Sequence, residues 1–218
     1  KLNELALADN IGYLSIRQKN SDYLFYLANL CGVLLRSGKY NIALKLMSSS
    51  IPDLKKTNSF YNKIGFASFY IKTLVYNKMG KNAVSYASTF LDAYKKEIFA
   101  TRWHLFFAAY VQALLSAEKY SRLLAVAKRY NLLALEKKFI DKTVYMPVLL
   151  WHNEVALYME GRQSKEKLEE TIYTSASVLL QNKYKAGRIN ELLDNLSESI
   201  PSEIAVIKSR LNLKPERA

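Results

Sequence analysis

Pairs of adjacent lysines recur along the chain at nearly constant spacing. The pairs, separated by steps of 40 and 42 residues, are Lys55 and Lys56, Lys95 and Lys96, and Lys137 and Lys138. Ammonium groups that repeat in step with a structural unit align along one edge and can bind phosphates or carboxylates. Each pair also falls near a predicted helix C-terminus, where lysine interacts favourably with the helix dipole. The pairs therefore predict either a basic ridge that binds an anionic partner or helix capping and solubility.

Tyrosines and lysines are interleaved in the first part of the chain, and the whole sequence holds 16 tyrosines and nine phenylalanines. Aromatic rings among cations can stack on nucleic-acid bases or hold a peptide, but tyrosines also fill gaps between packed helices. Some of the lysines must point away from the core, because the helices that carry them are otherwise apolar. The residues predicted to bind a partner are Tyr23, Tyr26, Tyr61, Lys63, Tyr70, Lys72 and Lys78.

The sequence carries no recognisable pattern for catalysis or for a metal site. The two histidines, His104 and His152, are 48 residues apart and have no cysteine or carboxylate cluster at ligand spacing. Phosphate-cradling glycine loops, paired carboxylates and nucleophile motifs are missing from the sequence. The one cysteine, Cys31, lies in an apolar stretch and predicts a core residue in a reducing, cytoplasmic compartment. We therefore expect no enzymatic activity, no cofactor and no metal.

The charge of the chain is positive and unevenly distributed. The formal net charge is +13, and residues 1–109 carry 15 Lys and Arg against six Asp and Glu, whereas residues 110–218 carry 17 against 13. The first half is therefore the more plausible anion-binding part. The longest strongly apolar stretch, residues 103–117, is too short to cross a bilayer, so we expect no membrane insertion.

A repeated segment organises the chain. Residues 34–40 recur at residues 114–120, and residues 74–81 and 157–162 play the same part, the first of these with a turn two residues longer. Each version is an apolar run that ends in a short turn and restarts as a helix. Gly38, Gly80 and Gly161 fit the position after a helix C-terminus, where positive φ costs glycine nothing.

Apolar residues around these turns recur with helical spacing, and no stretch shows the alternation of a strand. We therefore predict an all-α protein without sheets. The predicted hairpins are 21–37/40–50, 57–79/81–96, 98–117/119–136 and 146–160/164–182, with a leading helix at 2–17 and a terminal pair at 186–197 and 201–212.

The residues around the turns resemble the tetratricopeptide repeat family over roughly residues 20–182. Those at matching spacing in the first unit are Leu27, Leu30, Cys31, Leu34, Gly38, Tyr40, Ala43 and Met47. The repeat here is longer, at 38–42 residues against the 34 of the family, which is nearer to HEAT-type repeats. The resemblance implies a right-handed α-α superhelix (an α-solenoid) of about four hairpins with terminal capping helices. In such arrays the first helix of each hairpin lines the concave face.

These observations predict one helical-repeat array over residues 1–160, more basic in its N-terminal half, with its last helices and a polar C-terminal cap in residues 161–218. The predicted function is a protein-interaction scaffold or regulatory module whose concave face binds an acidic peptide or protein. The alternative is a nucleic-acid-binding helical-repeat protein that uses the basic ridge. Since the chain begins at Lys1, within a predicted helix, we expect further domains in a longer parent chain.

Overall fold

The computed structural model describes residues 23–55, 57–140, 147–181 and 186–213, and every regular element in these ranges is a helix. The helices are α1 (Tyr23–Arg36), α2 (Tyr40–Ser50), a 3-10 helix (Ile51–Lys55), α3 (Phe60–Tyr76), α4 (Gly80–Ala100), α5 (Trp103–Ser116), α6 (Tyr120–Arg129), α7 (Leu132–Ile140), α8 (Val148–Met159), α9 (Lys165–Gln181), α10 (Ala186–Asp194) and α11 (Pro201–Arg210). The predicted all-α class is confirmed.

The helices follow the predicted hairpins within a few residues, with two exceptions. Helix α4, predicted to end at residue 96, continues to Ala100 and has a kink at Tyr94, where the backbone is non-helical. The helix expected over 119–136 is two helices, α6 and α7, because the chain turns at Tyr130 and Asn131. Asn131 has a φ of 51°, a left-handed conformation that asparagine tolerates better than most residues. The helix predicted over 2–17 lies outside the described residues.

Three turns share one geometry at a spacing of 40 residues. Gly38, Lys78 and Glu118 have φ values of 71°, 59° and 55°. In each turn the amide of the following residue donates a hydrogen bond, at 2.8–2.9 Å, to the carbonyl of the residue five positions earlier. These bonds give the carbonyls at the helix C-terminus a hydrogen-bond donor. Two sequence predictions are therefore wrong. The second turn is no longer than the others, and Lys78 rather than Gly80 takes the positive φ, because the hydrogen-bond pattern fixes the position whichever residue occupies it.

Two glycines make a matched pair for the effect of backbone conformation. A Cβ atom added to Gly38 or to Gly65, which lies inside α3, would meet no atom of the described residues within 4 Å apart from its own neighbouring backbone. Gly38→Ala is expected to destabilise the protein by about 1 kcal/mol because of its positive φ. Gly65→Ala is expected to stabilise it by up to about 1 kcal/mol because alanine favours helix. Urea denaturation followed by circular dichroism would measure both, and shifts of the same sign would contradict this account.

The chain divides into two compact units, residues 1–113 (unit 1) and 114–218 (unit 2). In unit 1, α1 packs against α2 and α3, and α3 packs against α4. The core of unit 1 includes Leu27, Cys31, Ile64 and Ile71 of these helices and Phe106 of α5, all essentially inaccessible to solvent. The core position predicted for Cys31 is confirmed, and burial raises the pKa of its thiol to about 12, so the thiol stays protonated.

In unit 2, α6 packs against α8, and α9 packs against α8 and α11. Trp151, Val155 and Ile172 are fully buried or nearly so in its core. Polar contacts link α11 to α9, among them the exposed ion pair of Arg210 with Glu170 at 2.8 Å. Exposed pairs of this kind contribute little to stability, and they lie on the polar surface of the C-terminal helices. The predicted role of these helices as the cap of an array that begins at residue 1 stays a prediction.

Candidate partner-binding surface

The solvent-facing side of α3 carries aromatic rings and a cation. This face, called the α3 stripe, consists of Tyr61, Gly65, Phe69, Lys72 and Tyr76. Successive members are three or four residues apart, which places them on one side of the helix. Tyr61 is 42% exposed and the others are half-buried. An apolar stripe on an exposed helix face is a surface that a partner can cover.

Helix α1 presents a second stripe with the same spacing, next to that of α3. The α1 stripe consists of Phe25, Asn29, Val33 and Arg36, and Phe25 is 39% exposed. The ring of Phe69 lies directly against Gly32 of α1, since a Cβ atom on that glycine would be 2.8 Å from Cε1 of the ring. Because residue 32 is glycine, the ring of Phe69 can pack directly against the backbone of α1. The α1 and α3 stripes are therefore adjacent.

Cations lie over the aromatic rings of this surface. The guanidinium carbon of Arg102 is 3.6 Å from the ring centroid of Tyr61, and Nζ of Lys72 is 5.9 Å from that of Phe69. Each geometry is a cation–π contact, which fixes positive charge beside an accessible apolar ring. A ligand that covers these rings therefore also meets the positive charges.

The described part of unit 1 is strongly positive. Its described residues include 11 Lys and Arg but only three acidic residues, Asp53, Asp92 and Glu97, a difference of +8. A surface with this imbalance attracts anionic partners and accelerates their association at low ionic strength. The two stripes therefore combine apolar contact area with a positive potential.

A cleft of about 330 Å³ lies where the first two hairpin turns meet, at the end of the α3 stripe. Its lining residues are Gly38, Lys39, Tyr40, Asn41, Ile42, Tyr76, Asn77 and Lys78. The rings of Tyr40 and Tyr76 stack with centroids 5.2 Å apart, and the side-chain amide of Asn77 donates to the Tyr40 carbonyl at 3.0 Å. Ile42 is 51% exposed beside them. The cleft thus continues the surface with further rings, lysines and one apolar side chain.

The tyrosines predicted to bind a partner occupy different environments. Tyr61 is exposed, and Tyr26 is half-buried beside Phe25. Tyr23 is half-buried, with its hydroxyl 2.8 Å from Oγ of Ser50. Tyr70 is only 9% exposed, and its ring packs edge-on against another ring of the core.

The lysines predicted alongside these tyrosines lie at the surface. Lys72 belongs to the α3 stripe and Lys78 lines the cleft. Lys63 is half-buried, with its Nζ 5.6 Å from the ring centroid of Tyr94. Residues of the surface that the sequence reasoning missed are Gly65, Arg102 and Tyr40. Gly65 lies four residues after Tyr61 along α3, and this helical spacing was a usable signal for it.

The residues of the predicted basic ridge are exposed wherever the structure describes them. In unit 1 these are Lys55, Lys95 and Lys96, and in unit 2 they are Lys137 and Lys138, while Lys56 lies outside the described residues. Lys55 and the pair in α7 occupy the last turns of their helices, as helix capping requires. The pair in α4 directly follows Tyr94, where the backbone is non-helical and the helix is kinked before it continues to Ala100. Capping of a final helix turn therefore describes Lys55 and the pair in α7, and the pair in α4 lies at a kink instead.

Other chemistry finds little support in the part of the chain that the structure describes. Nowhere in it do three or more His, Cys, Asp or Glu residues gather closely enough to hold a metal ion. Burial and the neighbouring Arg102 lower the pKa of His104 to about 4, so this imidazole is neutral near pH 7. None of the helices in these ranges has the length and apolar character needed to cross a membrane. In comparisons with known proteins, the chain matches no protein-family model, no curated protein and no solved structure.

Proposed function

We propose that unit 1 is a binding module for an acidic segment of a partner protein, and that the α1 and α3 stripes are its contact surface. The observation that carries this proposal is the pairing of accessible rings with cations, Arg102 on Tyr61 and Lys72 on Phe69, in a unit poor in acidic residues. Aromatic residues and arginine are the side chains that contribute most to protein interfaces.

The two stripes belong to the first helices of the first two hairpins. In a tetratricopeptide-like superhelix these helices would line the concave face, which is where the proposed partner would lie. The whole chain would then act as a scaffold or regulatory module. The apolar rings would supply most of the affinity, and the cations would supply the association rate and the preference for acidic partners.

Nucleic-acid binding is the second candidate, and the exposed Lys55, Lys95 and Lys96 favour it. In nucleic-acid binding, cations contact the phosphate backbone and the bases stack on aromatic rings. This binding makes less use of aliphatic side chains such as the exposed Ile42 and the half-buried Val33 at this surface. The aliphatic part of the surface is the reason to prefer a protein partner.

The proposed function predicts a defined loss of binding on charge reversal. Short random peptides displayed on phage and selected on the purified chain should become enriched in Asp and Glu together with apolar residues. The double variant Arg102→Glu, Lys72→Glu should bind the synthetic consensus peptide at least about tenfold more weakly, since attraction becomes repulsion. Fluorescence anisotropy would measure both dissociation constants.

The control is Lys167→Glu, an exposed lysine of unit 2, which should leave peptide binding unchanged. A poly-dT oligonucleotide tests the second candidate, because its binding should weaken steeply with salt if the chain is a nucleic-acid-binding protein. Peptides selected without acidic enrichment, combined with tight and salt-dependent poly-dT binding, would overturn the proposal.

A further inference from the structure

The α3 stripe has a notch at Gly65 that packing does not explain. Glycine destabilises a helix interior relative to alanine, so a glycine inside a helix needs a reason. Gly32 has one, because a Cβ atom there would meet the ring of Phe69 at 2.8 Å. Gly65 has none within the described fold, since a Cβ atom there would have nothing within 4 Å. The space above Gly65 is open to a ligand.

An aromatic residue lies one helical turn from the notch on each side. These are Tyr61 before Gly65 and Phe69 after it. The two are eight residues apart, about 12 Å along the helix axis. The guanidinium of Arg102 stacks on the Tyr61 ring at 3.6 Å, and Nζ of Lys72 lies 5.9 Å from the centroid of the Phe69 ring. The notch is therefore an apolar gap with a positive charge at each end.

We propose that the notch at Gly65 receives one large apolar side chain of the acidic segment, and that a carboxylate on either side of it faces Arg102 and Lys72. This inference rests on the proposed function and adds the pattern of the ligand. Each cation-bearing ring is about 6 Å from the notch along the helix, which an extended chain covers in about two residues. Side chains two residues apart in an extended chain point the same way. The ligand is thus acidic–x–apolar–x–acidic in extended conformation.

A protein segment of this kind suits the surface better than a second copy of the chain. Two copies that each carry a net charge of +13 repel one another, and unit 1 offers few carboxylates to pair with its own lysines. An acidic segment neutralises the surface instead. The occupant is therefore a different polypeptide whose carboxylates alternate with an apolar residue.

Selection of the same phage-displayed peptides tests the pattern. The selected peptides should carry an apolar residue with acidic residues two positions before and after it. The synthetic consensus peptide should bind Gly65→Leu at least about tenfold more weakly than the original chain, because leucine fills the notch. Ser48→Leu adds the same side chain to an exposed position of α2 and should leave binding unchanged. Circular dichroism and urea denaturation would show that Gly65→Leu is folded, as expected for a helix-forming residue in open space.

The outcomes separate the inference from the function on which it rests. Acidic peptides that depend on Arg102 and Lys72 but bind Gly65→Leu within about twofold would overturn the notch and leave the function standing. Acidic peptides with no preferred spacing around an apolar residue would also overturn the notch. A selection without acidic enrichment would overturn both.

Discussion

Replacing Phe106 with alanine is expected to lower the free energy of unfolding by about 3–5 kcal/mol. The side chain of Phe106 is fully buried in unit 1, with ring centroids 5.7 Å from Phe90, 5.4 Å from Phe107 and 6.0 Å from Tyr110. Removing the ring loses the free energy gained when its apolar surface is buried away from water. It also leaves a cavity that the neighbouring rings cannot fill without adopting unfavourable rotamers. The free energy of unfolding of an ordinary domain is about 5–15 kcal/mol, so the loss would be a large fraction of the total stability. Urea denaturation followed by circular dichroism would measure it.

Phe25→Ala is the matched control, because the same atoms are removed from a ring that is 39% exposed on the α1 stripe. Its expected cost is about 1–2 kcal/mol, since part of the ring is already exposed to water and no enclosed cavity forms. Losses of similar size for the two variants would mean that the aromatic cluster around Phe106 does not carry the stability of unit 1.

This cluster shows why the chain is rich in aromatic residues. The ring of Phe90 contacts rings from three helices, among them Phe60 of α3 at 6.4 Å and Phe106 of α5 at 5.7 Å. Large flat side chains fill the space between helices, and aromatic pairs gain stability from their preferred stacked or edge-to-face arrangements in addition to the area they bury. Many of the aromatic residues of unit 1 therefore serve packing, and a smaller group on the α1 and α3 stripes is left for a partner.

The helices and turns were predictable because their signals are local. Apolar residues at steps of three and four define one face of α1, and this face determines which residues enter the core. The positions of the left-handed residues were less predictable. Lys78 occupies the place of Gly38 because the hydrogen bonds of the turn require that geometry, whereas the sequence reasoning followed the nearest glycine. The break at Asn131 was missed because no glycine or proline marks it in the sequence.

The candidate site was only partly predictable. Tyr61 and Tyr70 are nine residues apart, and at 100° per residue they point to opposite sides of α3. Helical geometry alone could therefore have separated the exposed tyrosine from the buried one. The stacking of Arg102 on Tyr61 could not have been predicted in this way, because it joins residues 41 positions apart in the sequence. Contacts of this kind depend on tertiary structure, to which local sequence patterns carry no guide.

Glu136 gives unit 2 an expected dependence of stability on pH. This carboxylate is only 6% exposed, and its two oxygens accept the amides of Leu149 and Leu150 at 2.9 and 2.8 Å, in the first turn of α8. The hydrogen bonds favour the charged form, and burial disfavours it. Burial is the larger effect, and the pKa of Glu136 rises from its ordinary 4.5 to about 7.

The sign of the effect follows from the direction of this shift. The folded state holds the proton more tightly than the unfolded state, so the stabilisation is complete below about pH 4.5 and is lost as the pH rises through about 7. The loss is on the order of 3 kcal/mol. Glu136→Gln keeps the shape and an acceptor but cannot titrate, and its stability should vary correspondingly less between about pH 5 and pH 8. Urea denaturation across that range would measure both proteins.

Glu160→Gln, an exposed acid of unit 2, is the matched control and should leave the pH dependence of the original chain in place. Glu136→Ala should be less stable than Glu136→Gln at every pH, because it leaves two amides at the start of α8 without their acceptor. If stability instead rose from pH 5 to pH 8 and Glu136→Gln abolished the rise, the carboxylate would be charged in the folded state. The helix N-terminus would then outweigh burial, and Glu136 would be a charged cap of α8 rather than a protonated one.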